Sequence, residues 1–201
     1  MATKRLYFTR HGETQEALDS IVQGQSNSFL TANGRKNSLA LGSYLSEHFS
    51  ITDLITSDLD RAVETANLIF SKINHEIEIK KEPLLREISF GVFEKKPFDL
   101  LDKYRSSDPN ELEYVKPPEG ESLNGLRQRV LSWFSGFLPL SLDGSLIVTH
   151  KGPLYMIIES FHPGDMDEIS KALTFNILLI MDVYPNGSYK ISKIIRPNDF
   201  I

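Results

Sequence analysis

The sequence predicts an α/β fold on three observations. Arg5-Leu6-Tyr7-Phe8, Asp53-Leu54-Ile55-Thr56 and Ser145-Leu146-Ile147-Val148-Thr149 are short runs of the apolar, β-branched and aromatic residues that suit strands with buried faces. Each run opens into a polar turn: Thr9-Arg10-His11-Gly12-Glu13-Thr14, then Ser57-Asp58-Leu59-Asp60-Arg61-Ala62, then His150-Lys151-Gly152. The second and third turns lead into helix-like segments. In open α/β sheets such strand ends are where ligands bind.

Taken in order, Gly12 breaks the first run and permits a sharp turn. Residues 23–28 read as a polar loop. Thr31 is expected to cap a helix running to about Phe49, with Gly34 a weak point near its start and Leu41, Tyr44, Leu45 and His48 on one face. After the second strand, Ser57 or Asp58 is expected to cap a helix through Phe70, with Ala62, Ala66 and Ile69 facing inward. Residues 77–80 alternate apolar and charged side chains and suggest a short edge strand. Pro83 and Gly91 bracket a loop that carries Glu87 among apolar neighbours. The stretch at about 92–121, with Asp108-Pro109 and Pro117-Pro118-Glu119-Gly120, reads as a small helical flap and the expected source of substrate choice. Ser122 should cap a helix whose stripe Leu123, Leu126, Val130, Phe134 and Phe137 faces the core, with Trp133 at its edge. A helix through Ser160 follows the third strand. Residues 175–181 and 189–195, around Pro185-Asn186-Gly187, read as an antiparallel pair. No repeat or low-complexity segment interrupts the chain, so 1–201 reads as one domain.

Composition narrows the function. With 201 residues, 40% apolar and 24% charged, the chain suits a soluble globular domain. It has no cysteine, hence no disulfide and no thiolate zinc site, which agrees with a reducing, cytoplasmic location. The three apolar residues after Lys4 and Arg5 are too few for a signal-peptide core, and the longest apolar run, 177–181, cannot span a bilayer. A net charge of −5 argues against broad nucleic-acid or acidic-membrane binding, so neither partner is expected.

The turns carry the chemistry. Arginine offers a planar fork of donors matched to phosphate oxygens, and histidine is a nucleophile that is neutral near pH 7. Arg10 beside His11 therefore suggests a histidine attacking phosphorus while arginine holds the oxygens; the alternative is a plain surface turn. Arg61 falls in the first turn of its helix, where its charge opposes the positive helix end. Such an arginine suits an anion gripped jointly with the helix amides, although a solvated Arg61, or one paired with Glu64 or Asp58, is left open. A carboxyl among apolar neighbours favours its protonated form, and a protonated Glu87 can act as a general acid; an Arg86–Glu87 surface pair is the alternative.

In this order the motifs resemble those of the histidine phosphatase superfamily, the phosphoglycerate-mutase-like fold. Arg10-His11-Gly12-Glu13-Thr14 is similar to the family signature, and residues 57–66 are similar to its Ser-x-Leu-x-Arg-Ala-x-x-Thr-Ala segment at every fixed position. Residues 85–91 resemble the loop carrying the family's acid, and Gly120-Glu121-Ser122 and Val148-Thr149-His150 complete the set.

The resemblance implies a three-layer α/β sandwich, a central mostly parallel sheet with helices on both faces. It implies that His11 becomes phosphorylated, that Arg10, Arg61 and His150 hold the phosphoryl oxygens, and that Glu87 protonates the leaving oxygen and later helps activate water. No metal or other cofactor is implied, because cationic side chains neutralise the transferring group. Thr14, Gln23, Gly24 and Lys151 are the implied substrate-binding residues, and the partner is a small phosphorylated metabolite. Dimers occur in the family, so a homodimer is an option. Two positions depart from the pattern: Ala17 stands where the family often has Asn, and Lys151 where it often has Gly. Gln23 or Gln25 is the candidate replacement for the lost donor, and the Lys151 ammonium the candidate for a second anionic group. Mutases resemble Glu-Arg-His-Tyr-Gly after the acid and have a longer insertion; here Ile88-Ser89-Phe90-Gly91 follows Glu87. The reading is therefore a phosphatase, with a phosphoglycerate mutase, or a non-catalytic module binding phosphorylated ligands, as alternatives.

Overall fold

The computed structural model describes residues 3–106, 116–161 and 166–200. Its strands form one six-stranded sheet of order β3-β2-β4-β1-β5-β6. β1 (Lys4–Arg10), β2 (Asp53–Thr56), β3 (Ile79–Lys81) and β4 (Ser145–Thr149) run parallel. β5 (Leu178–Val183) runs antiparallel to β1, and β6 (Tyr189–Ile195) antiparallel to β5. The fold is α/β, with a mostly parallel sheet.

Both faces of the sheet are covered, which is why the central strands read as nearly continuous apolar runs. Leu6, Phe8 and Ile147 point to one face, against Leu126, Val130 and Phe134 of α5 (Leu123–Leu140) and Leu154 and Ile157 of α6 (Lys151–Glu159). Tyr7, Leu54 and Leu146 point to the other, against Leu41 and Leu45 of α2 (Ala32–His48) and Ala62, Ala66 and Ile69 of α3 (Asp60–Phe70). Each fully buried Leu or Phe of this kind contributes roughly 1.5–3 kcal/mol.

Local signals mark several boundaries. Thr31 caps α2 by accepting the Gly34 N–H at 2.9 Å, and Ser122 caps α5 by accepting the Gly125 N–H at 3.1 Å. Tyr189–Ile195 forms where it was expected, after a turn in which Gly187 adopts φ +83°.

Tertiary bonds moved others. The residue before α3 is Leu59, not Ser57 or Asp58, whose side chains are bonded to His150 and Arg86 instead. β1 runs on to Arg10, paired with Thr149 of β4. β5 starts at Leu178 rather than at 175: Asn176 adopts φ +54° and gives its N–H to the Arg10 carbonyl at 3.2 Å. The flap contains α4 (Phe98–Ser106), while its Asp108-Pro109 lies outside the described residues. The short helices α1 (Gln15–Leu18) and α7 (Met166–Ala172) carry no sequence signal strong enough to predict them.

Gly12 serves close approach rather than the turn. A Cβ there would sit 2.9 Å from the Gly34 carbonyl oxygen and 2.9 Å from Ser38 Oγ, and one at Gly34 would overlap the Glu13 backbone. The two glycines let α2 lie directly on the turn after β1. Among the described residues, no helix is long and apolar enough to cross a membrane.

Candidate active site

Three neighbouring strand ends build the site. β2, β4 and β1 lie side by side, and their carboxyl ends deliver Ser57 with the start of α3, then His150, then Arg10 with His11. The ladder continues into the turns: the His11 N–H donates to the Thr149 carbonyl, and the Ser57 N–H to the Val148 carbonyl, both at 2.9 Å. The two imidazoles therefore meet with ring centroids 5.0 Å apart, close to one interstrand spacing.

His11 is buried, with Nδ1 2.8 Å from the Gly12 carbonyl oxygen. A carbonyl only accepts, so the proton sits on Nδ1 and Nε2 keeps its lone pair. Arg61 donates its Nε–H to that Nε2 at 3.3 Å. Burial, then the Arg61 and Arg10 charges, hold His11 well below the ordinary imidazole range against the opposing Gly12 carbonyl. His150 is held down likewise by burial, then by Arg61, His11, Arg10 and Arg129. Its Nε2 faces Ser57 Oγ at 2.8 Å, and its buried Nδ1 has no hydrogen-bond partner among the described residues.

Two guanidinium groups flank His11. Arg61 is 1% exposed, so it is not the solvated arginine. Nor does it pair with the neighbouring carboxylates: Glu64 binds Arg35 at 2.6 Å, and Asp58 holds Arg86 through two bonds. Arg61 instead donates to the Gly24 carbonyl at 2.6 Å, the Ser26 carbonyl at 3.1 Å and Ser28 Oγ at 3.3 Å. Arg10 donates to the Leu173 carbonyl at 2.9 Å and lies 3.9 Å over the Phe175 ring, while its buried Nε has no partner among the described residues. Burial lowers both arginines to about 10, with Glu87 opposing. Both stay cationic at neutral pH.

Glu87 is half-buried, and its surroundings are more polar than the sequence suggested. Oε1 accepts the Ile88 N–H at 3.0 Å and the Gly152 N–H at 3.2 Å, and Oε2 accepts the Gly152 N–H at 3.3 Å. A Cβ on residue 152 would overlap the carboxylate, so the glycine after Lys151 makes the room that Glu87 occupies. A cavity of about 850 Å³ opens on Arg10, His11, Arg61 and Glu87; Ile21, Val22, Phe90, Phe98 and Leu123 line its wall, as do Arg105 and Lys151. Burial and Arg10 lower the Lys151 ammonium, against Glu87.

The sequence model of the histidine phosphatase superfamily (branch 1) matches residues 6–189. The chain belongs to the histidine phosphatase superfamily. A Salmonella arizonae relative named "Probable phosphoglycerate mutase GpmB" is 35% identical over 152 residues, covering 73% of this chain and 69% of the relative. The zebrafish (Danio rerio) "Fructose-2,6-bisphosphatase TIGAR B" is 36% identical over 133 residues, 64% of this chain and 51% of that one. Among solved structures, Bacillus stearothermophilus YhfR superposes with a TM-score of 0.80 at 28% identity over 94% of this chain and 95% of its own. The Shigella flexneri alpha-ribazole phosphatase superposes at 0.82, with 24% identity and 96% of each chain covered, a likeness of fold.

Within this superfamily chain, the structure brings Arg10, His11, Arg61, Glu87 and His150 together. Gln23, Gly24 and Lys151 join Arg10, His11, Arg61 and Glu87 on the cavity wall, whereas His150 and Thr14 are fully buried and not part of it, and Thr14 donates its hydroxyl to Gln23 Oε1 at 3.1 Å. Gln23 Oε1 also accepts from Ser28 Oγ at 2.8 Å, which fixes its amide. Gln25 gives its side-chain N–H to the Glu87 carbonyl at 3.1 Å, and Ala17 lines the wall without a donor. Three residues escaped the sequence reading. Ser57 orients His150, and its fixed place in the motif was the available signal. Phe175 supports Arg10 across the fold. Glu94 Oε1 accepts from Gln25 N at 2.9 Å, Phe90 N at 3.0 Å and Ser89 Oγ at 3.2 Å, joining the loops on either side of the cavity. Nothing local marks the last two.

Proposed function

We propose that this chain is a metal-independent phosphatase of small phosphorylated metabolites, working through a phosphohistidine at His11. One observation carries the reading: the unprotonated Nε2 of a neutral imidazole stands between two guanidinium groups at the end of an 850 Å³ cavity. Nε2 attacks phosphorus and the bond to the leaving oxygen breaks. Glu87 gives that oxygen its proton. Arg10, Arg61 and His150 hold the three oxygens of the transferring group, where fixed donors stabilise the charge that spreads over them. In the tautomer where Ser57 donates to Nε2 of His150, the donor that histidine offers a phosphoryl oxygen is Nδ1–H. Water then attacks the phosphohistidine, Glu87 takes its proton, and the P–N bond breaks to return neutral His11.

The GpmB names of relatives favour a second reading, a mutase. Ile88-Ser89-Phe90-Gly91 after Glu87, unlike the mutase pattern, supports the phosphatase, while Arg105 and Lys151 on the same cavity wall are the groups a phosphoglycerate carboxylate would have to meet. A panel of phosphorylated metabolites, assayed for released phosphate and for isomerised phosphoglycerate with and without 2,3-bisphosphoglycerate, separates the two. Phosphate release that survives EDTA, with an acid-labile phosphoenzyme absent from His11→Ala, is the expected result. Isomerisation without net release makes the chain a mutase, and neither activity makes it a binding module.

A further inference from the structure

Arg129 lies on α5, outside the reacting cluster, and uses every donor it has. Its Nε and Nη2 hold the Glu121 carboxylate at 3.0 and 2.7 Å, a bidentate fork. Nη1 donates to the Leu84 carbonyl at 2.7 Å and the Arg86 carbonyl at 3.0 Å, and Nη2 reaches the Glu87 carbonyl at 3.4 Å. These bonds account for the five N–H groups of a guanidinium. Three of the acceptors are carbonyls of the loop that carries Glu87. The same loop is tied to β4 by the Thr149 hydroxyl, which donates to the Leu85 carbonyl at 2.8 Å.

We propose that Arg129, held by Glu121, is the positioning residue that sets the reach of the Glu87 carboxyl. This inference rests on the reading of Glu87 as the leaving-group acid. Both members of the pair are four-fifths buried or nearly so, with side chains 17% and 20% exposed, so the fork is shielded and rigid. A loop between short elements, with residues 83–85 and 91–93 as single 3-10 turns, has few ladder bonds to fix its backbone. The guanidinium supplies the missing anchors, and the carboxyl follows the backbone it is attached to. Lysine at 129 keeps the charge but has three donors and no fork, so it cannot hold Glu121 and three carbonyls together.

The test compares Arg129→Lys and Glu121→Gln with Glu87→Gln on nitrophenyl phosphate, whose leaving group departs without a proton, and on glycerol phosphate, whose leaving group needs one. A displacement of about 1 Å at a catalytic group can cost ~10²-fold, so Arg129→Lys should lose roughly that factor on glycerol phosphate and little on nitrophenyl phosphate. In the Arg129→Lys/Glu87→Gln double variant the glycerol phosphate defect should equal that of Glu87→Gln alone, because lysine keeps the charge that acts on His150 and only the anchoring of the Glu87 loop is lost. Equal losses on both substrates, or losses that multiply in the double variant, overturn the inference. Should Arg129→Lys fail to fold, Glu121→Gln decides by the same two comparisons. A flat Glu87→Gln profile is a different failure: it removes the acid assignment itself, whatever Arg129 does.

Discussion

Arg61 points its Nε–H at the lone pair of His11 Nε2 across 3.3 Å, while its other donors are fixed on the Gly24 and Ser26 carbonyls. Together with burial the cation keeps His11 neutral, and on the proposed mechanism it would also meet the phosphoryl oxygens. Arg61→Lys retains the charge and loses the fork. Removing one such donor typically costs ~10²–10³ in kcat, and that loss is expected here. Steady-state rates with a soluble phosphomonoester check it; a loss below about tenfold would mean that charge alone suffices.

Glu87 should matter in proportion to the basicity of the leaving group. Glu87→Gln keeps the side-chain size and its contacts with Gly152. General acid catalysis typically contributes ~10²–10⁴-fold, and a defect of that size is expected with alkyl and sugar phosphates but not with nitrophenyl phosphate. The slope of log kcat/KM against leaving-group pKa measures it. An unchanged slope assigns Glu87 a structural role.

The buried histidines make stability depend on pH. His11 and His150 stay neutral in the folded chain, while in the unfolded chain each protonates near the ordinary value of 6.5. As pH falls below that value the unfolded state binds protons that the native state does not, so stability declines on acidification. Each histidine contributes a slope of up to about 1.4 kcal/mol per pH unit in this window. Urea unfolding at pH 7.5, 6.5 and 5.5 should show the decline, flattened in His150→Gln. An identical slope in that variant would show that carboxylates govern the acid limb.

Two glycine substitutions should act with opposite sign. Gly34→Ala forces a methyl group into the Glu13 backbone, and overpacking of that kind costs roughly 1–3 kcal/mol. Because Glu13 adjoins Gly12 and His11, kcat/KM should fall too. Gly136 lies exposed on α5, and a Cβ there meets nothing within 4 Å, so Gly136→Ala should stabilise by about 0.4–1 kcal/mol through the unfolded chain. Thermal unfolding of the two variants checks both signs.

What the sequence disclosed was local. The runs at β1, β2 and β4 carry their own apolar pattern, and Thr31 and Ser122 are caps that bond three residues ahead. Arg10, His11, Arg61 and His150 were legible because they follow the ends of such runs, and Glu87 because a lone carboxylate sat in a loop bracketed by Pro83 and Gly91. Ser57 and Asp58 misled because residues suited to capping were committed to partners 93 and 28 residues away. Arg129 and Glu94 gave no signal at all, since an arginine on a helix and a glutamate in a turn look like solvated charge until the fold closes over them. The polar setting of Glu87 was hidden for the same reason: its donor Gly152 is 65 residues distant.

The pairing of β1 with β4 has a consequence for retargeting. Arg10 faces Thr149 in register, so the distance between the two imidazoles is fixed by the backbone spacing of adjacent strands in the middle of the sheet. The apolar part of the cavity wall comes from other segments: Ile21 and Val22 before α2, Phe90 in the Glu87 loop, Phe98 in the flap, Leu123 at the head of α5. On the proposed function, the groups that handle phosphorus and those that would set selectivity are thus carried on separable parts. Diversifying those five wall positions should shift which esters are accepted while leaving the turnover of the smallest ones nearly constant, so new specificities are reachable without rebuilding the reaction centre.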